Sequence, residues 1–163
     1  MAELIAALAA RLGVPRFVAV CTDLMAGAPR EQYVEELRSL AGHGGVGYPD
    51  HWLRTWGARG LLHVWDDSAT AAVVRGLADE DWRPAEMCLK VAARHEVAGT
   101  GDGAAALSDH GLPRVRGQAL RVLAVTGDSE HLDAVRDRVD DEDAEVRRQA
   151  ARALDALARR LDL

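Results

Sequence analysis

A period of 31 residues governs what this chain can become. Leu53-Arg54, Pro84-Ala85, Val115-Arg116 and Val146-Arg147 follow one another at that interval without gaps. Three positions after each pair stand the small residues Gly57, Cys88, Ala119 and Ala150, and four beyond those stand Leu61, Ala92, Leu123 and Leu154. Apolar residues at alternating steps of three and four mark one face of a helix. Recurrence at a fixed period of this length marks a repeat architecture, in which each unit buries its apolar face only against its neighbours.

The helix starts repeat as well. Asp50, Asp81 and Asp143 precede the apolar-arginine pairs by three positions, where a carboxylate can cap free backbone N–H groups. The third repeat has Leu112-Pro113 there instead, with proline suited to a first helical turn. A shorter second helix follows each long one. Asp66-Asp67-Ser68 opens one that runs to about Leu77, and Gly127-Asp128-Ser129 opens another with Leu132, Val135 and Val139 on one face. Between them, Val97 to Gly103 reads as a long mobile turn before a helix over about Ala104–Asp109. Upstream, helical patterns cover about 2–12, 16–26 and 29–41, and the glycine-rich stretch Gly42 to Gly47 joins them to the repeats. Aromatics are only 4% of residues while apolar residues are 48%. That mix of small and aliphatic side chains suits packed helices better than a sheet.

Val115-Arg116…Ala119…Leu123 and Val146-Arg147…Ala150…Leu154, with the acidic turn Asp140 to Asp143 between them, resemble the HEAT-repeat family. The closest likeness is to the short repeat also found in phycobilisome lyases, good over about 112–160 and looser over 50–111. The resemblance implies an all-α fold, an α-solenoid of antiparallel helix pairs forming a single domain over 1–163. Residues 1–48 would be degenerate capping helices and 49–163 the repeats. It further implies that Arg54, Arg116 and Arg147 tie adjacent repeats together through loop aspartates. Partners of such proteins bind the concave face lined by the second helices. The residues expected there are Glu31, Glu35 and Arg38, then Ser68 and Arg75, Ser108 and Asp109, and Glu130, Asp133 and Asp137.

That surface is mostly acidic, and the formal net charge is −6. Both features disfavour nucleic acid, whose phosphates call for a basic face, and favour a basic protein or peptide. A row of cations does recur at Arg59, Lys90, Arg121 and Arg152, opposite the expected core stripe Leu53, Gly57, Gly60, Leu61 and Val64. Acidic neighbours such as Glu86, one helical turn before Lys90, make it a solvated face of intrahelical pairs. All the tryptophan lies between Trp52 and Trp82. Trp52, Trp56 and His63 share one flank of a helix, which offers an alternative binding site for a base or pigment. Packing against the N-terminal helices accounts for them more simply.

Chemical motifs are missing. His43, His51, His63, His95, His110 and His131 form no HxxxH or HExxH pair, so no metal site is expected. Cys21 and Cys88 lack ligand spacing and sit in apolar helical patterns, as buried reduced thiols do. Gly99-Thr100-Gly101-Asp102-Gly103 lacks the lysine and preceding strand of a phosphate loop. The acidic turns lack the glycine and final glutamate of a calcium loop. No catalytic residue and no cofactor follow from the sequence. The expectation is a cytoplasmic protein-interaction or scaffold module with no signal peptide or membrane span. The alternative, by likeness of fold, is a HEAT-like DNA-glycosylase-type enzyme or a nucleic-acid-binding module; the acidic groove speaks against it.

Overall fold

A computed structural model describes residues 1–42 and 47–162; the glycine-rich linker expected at 42–47, with His43, falls mostly outside the described residues. Among the described residues there are ten α-helices and no strand. They are α1 (Ala2–Leu12), α2 (Val14–Met25), α3 (Val34–Ala41), α4 (His51–His63) and α5 (Thr70–Gly76). After these come α6 (Trp82–His95), α7 (Gly101–Leu107), α8 (Pro113–Thr126), α9 (Leu132–Arg136) and α10 (Ala144–Leu161). Short 3-10 turns lead into α3, α5 and α9. The chain divides into two compact units, Met1–Val91 and Ala92–Leu163.

In the first unit α1 and α2 meet at a bend of 117°. Gly13 makes it with φ 77°, a conformation glycine adopts freely, and Pro15 presets the first turn of α2. Among the described residues no single helix is long and apolar enough to cross a membrane; α1 and α2 reach that measure only together, across the bend. Their apolar residues Ile5, Leu8, Phe17, Val20 and Leu24 are buried within the unit. Helix α2 packs on α4, and two glycines set how closely. A Cβ on Gly57 would stand 2.6 Å from the Cys21 carbonyl oxygen, and one on Gly60 would stand 2.5 Å from Cys21 Sγ.

Helix α4 is buried on more than the expected stripe. Leu53 and Leu61 are core residues as expected, but so are Thr55, Trp56 and Ala58, while Val64 is only half-buried. Arg59 therefore is not a solvent-facing cation: it is half-buried, and burial lowers its affinity for the proton. Its counterparts differ among themselves. Lys90 is half-buried against Glu86 at 3.0 Å, whereas Arg121 and Arg152 are exposed.

The arginines of the repeat make the strongest contacts. Arg54 Nε donates to Asp79 Oδ2 at 2.6 Å and its Nη2 to Oδ1 at 3.0 Å. Two periods later, Arg116 Nε donates to Asp141 Oδ2 at 2.9 Å and its Nη2 to Oδ1 at 2.7 Å. In each pair the same Oδ1 also accepts a backbone N–H two residues on, that of Asp81 or of Asp143, both at 2.9 Å. One aspartate thus anchors an earlier helix and shapes the turn that starts a later one. One period after Arg54 and Asp79 stand Ala85 and His110. There the arginine is absent, while His110 Nδ1 still accepts the Leu112 N–H at 3.0 Å. Arg147 departs from the expected tie: its Nη1 donates to the carbonyl oxygens of Asp141 at 2.6 Å and Glu142 at 3.1 Å.

Caps follow the sequence at Asp81 and Asp143, which accept from Arg83 and from Glu145 and Val146. Asp50 does not cap; its carboxylate meets Arg30 at 3.1 Å. Helix α7 starts earlier than expected, because Gly101, Asp102 and Gly103 are helical. Thr100 is buried, with Oγ1 donating to Val97 O at 2.7 Å and lying 3.1 Å from Thr126 Oγ1. Gly101 lies so near His131 that a Cβ would stand 2.5 Å from its Cε1. Helix α9 ends at Arg136, which leaves Val139 exposed instead of on its apolar face.

Two predictions follow. The guanidinium of Arg116 holds the Asp141 carboxyl below its ordinary value of 3.8. A depressed folded value means that the stabilisation is present above the unfolded value and is lost as pH falls through the folded one. Both side chains are nearly inaccessible, at 6% and 3%. Asp141→Ala should lower stability at neutral pH by about 3–5 kcal/mol, and the variant should lose less than the parent on acidification, as read by denaturant titrations across pH. The second concerns the thiols. Cys88 Sγ fills the place that a Cβ on Gly76 would take, and burial makes it a weaker acid, with its pKa pushed up to about 12. Burial pushes Cys21 up as well. Neither should react with a thiol reagent in the native protein at neutral pH, and both should react once it is unfolded.

Candidate functional site

The candidate concave residues fall in two sets, one per unit. In the first, Glu31 stands on the 3-10 turn before α3, and Glu35 and Arg38 on α3 are exposed and paired at 2.8 Å. Ser68 and Arg75 are exposed on the turn into α5 and on α5 itself. In the second set Glu130, Asp133 and Asp137 are exposed on and beside α9, and Asp133 pairs with Arg136 at 3.0 Å. Ser108 does not face outward. It is 3% exposed and its hydroxyl donates to Ala105 O at 2.7 Å, closing the end of α7. Asp109 is exposed and meets Arg138 at 3.2 Å.

The structure adds a residue that the sequence reading passed over. Asp102, in the first turn of α7, lies beside Glu130 and His131, and donor atoms of all three fall within 4.8 Å of one another. His131 is the buried member. Its Nδ1 accepts the Asp128 N–H at 2.9 Å, completing a capping box, and its Nε2 lies 3.0 Å from Asp102 Oδ1. These contacts decide what the cluster can do. With Nδ1 accepting, the neutral ring carries its hydrogen on Nε2 and donates it to Asp102. A metal at Nε2 would move that hydrogen to Nδ1, against the Asp128 N–H, whereas a ligating histidine turns its second N–H toward an acceptor. His131 is therefore a strut that holds Asp102 in place. Asp102 and Glu130 are exposed side by side, and Asp133 and Asp137 are exposed on and beside α9.

The tryptophan flank is differently built. Trp56 is 2% exposed, stacks on Trp52 at 6.0 Å and takes the Tyr48 ring edge-on at 5.6 Å. Trp52 is half-buried, and the space over it is taken by the Arg83 guanidinium, 5.6 Å from Trp52 and 4.6 Å from Trp82. His63 is exposed at the last position of α4. The chain thus fills its own stacking site with a cation. Trp56→Ala should lower stability by about 3–5 kcal/mol in chemical denaturation, and Trp52→Ala by clearly less, because Trp52 keeps part of its surface in water.

Residues 104–161 match the family model of HEAT repeats. No curated protein and no solved structure matches the chain. The matched stretch runs from within α7 to the end of α10 and takes in the Arg116–Asp141 tie. Over these residues the chain is similar to HEAT repeats.

Proposed function

We propose that the protein is a small HEAT-repeat interaction module, a scaffold whose acidic α7–α9 surface takes a basic segment of a protein partner. In this reading residues 49–163 form an array of the short repeats also found in phycobilisome lyases. Residues 1–48 cap it, and the whole is one α-solenoid domain working in the cytoplasm. The observation that carries the function is the exposed set Asp102, Glu130, Asp133 and Asp137. The cations nearest in sequence are already engaged, Arg136 by Asp133 and Arg138 by Asp109. A phosphate polymer would meet repulsion there, and a lysine- or arginine-rich segment would meet complementary charge.

The test uses an arginine-rich model peptide and a labelled DNA duplex with the full chain. The peptide should bind and weaken steeply as salt rises, and the duplex should not bind at physiological salt. Reversing Glu130, Asp133 and Asp137 to lysine should weaken the peptide by at least roughly tenfold while circular dichroism stays unchanged, since all three side chains are exposed. A peptide indifferent to the reversals would remove this surface from the reading. Tight binding of DNA, or release of an alkylated base from it, would put the glycosylase alternative first.

A further inference from the structure

Four of the seven large apolar side chains exposed among the described residues belong to α1 and the two helices it packs against. Met1 and Leu4 lie at the start of α1, and Val14 and Val34 open α2 and α3. Helix α1 buries only Ile5, Leu8 and Ala9. The outer face of such a helix is ordinarily polar. Here Leu4, Ala6, Ala7 and Ala10 are exposed, and the charged residues beside them are Glu3 and Arg11. Neither of these two has a partner among the described residues.

At about 100° per residue, Glu3, Leu4, Ala7, Ala10 and Arg11 fall on one side of α1. That side is complementary to itself. Turned end for end about a two-fold axis through Ala7, it sets Leu4 against the partner's Ala10 and Glu3 against the partner's Arg11. Symmetry makes each of these contacts twice. A leucine facing an alanine fits large to small, and alanine at the axis lets two helices approach closely.

We propose that this face of α1 is the interface of a homodimer, in which two copies of the chain pair their first helices antiparallel. Eleven residues make a helix of about 16 Å. The paired area therefore stays below the roughly 1,200 Å² of a lasting complex, and the dimer exchanges with monomer. Pairing through α1 calls on none of the carboxylates of α7 and α9.

Sedimentation velocity of the full chain over a dilution series tests it. The mass should rise from one chain toward two as concentration increases. Leu4→Glu should weaken association by at least roughly tenfold, with circular dichroism unchanged because Leu4 is exposed. Glu3→Arg and Arg11→Glu should each weaken it by setting like charges together, and combining the two should restore it. The combination separates pairing from helix stability. Glu3 in the first turn and Arg11 in the last each favour α1 through its dipole, so a purely local role makes the double variant the worst of the three. A chain still monomeric at about 1 mM would overturn the proposal. So would association that Leu4→Glu leaves intact, or that the double variant fails to restore. A monomer that binds phospholipid vesicles until Leu4 is changed would overturn it too, and would give this face to a membrane.

Discussion

A guanidinium taken out of water must find a planar, charged acceptor, and this chain sets the buried Arg116 and the half-buried Arg54 beside aspartates that meet them with both oxygens. Much else depends on that match. Asp79 and Asp141 each receive a second donor, the N–H that opens the turn into the following helix, so a single carboxylate joins an earlier helix to that turn. The caps on Asp81 and Asp143 are set by the same turns. Where the arginine gives way to Ala85, the partner position is His110, which keeps the turn bond and needs no cation. Both halves of the tie are thus absent from this repeat together, as expected if a buried charge cannot stand alone.

The same ties shape the surface. Arg116, Arg138 and Arg147 are drawn toward the turns, where Asp141 and backbone carbonyls hold them. Asp102, Glu130, Asp133 and Asp137 stay exposed on and beside α7 and α9, Asp133 in an exposed pair with Arg136. Each Arg–Asp tie withdraws one charge of either sign and so leaves the formal net charge of −6 unchanged.

Most of the fold was legible in the period. The positions of the repeat helices, the ties of Arg54 and Arg116 and the caps at Asp81 and Asp143 follow from register, whereas the burial of Trp56 lies off the expected stripe. The failures have physical causes. A single apolar stripe puts Arg59 in solvent, whereas α4 is covered on several sides. Asp102 was hidden by flanking glycines, which suggest a loop; Gly101 is there because His131 packs against it. No sequence spacing announces that a histidine in a capping box will reach a carboxylate far upstream. Asp50 was expected to cap by analogy with Asp81, but Arg30 competes for its oxygen. Ser108 was placed on the outer face, yet a hydroxyl at a helix end finds a carbonyl of its own turn first.

The pairing of glycine with sulfur has a consequence for how this sequence can change. The volume missing at Gly60 is the volume of the Cys21 thiol, and the volume missing at Gly76 is that of Cys88. Neither member of such a pair can grow unless the other shrinks. In relatives that keep this packing, the two positions should therefore vary as reciprocals: alanine at 60 with alanine or glycine at 21, and likewise for 76 with 88. The thiols are then conserved or lost as space-fillers, and their covariation would carry the imprint of helix spacing and none of redox chemistry.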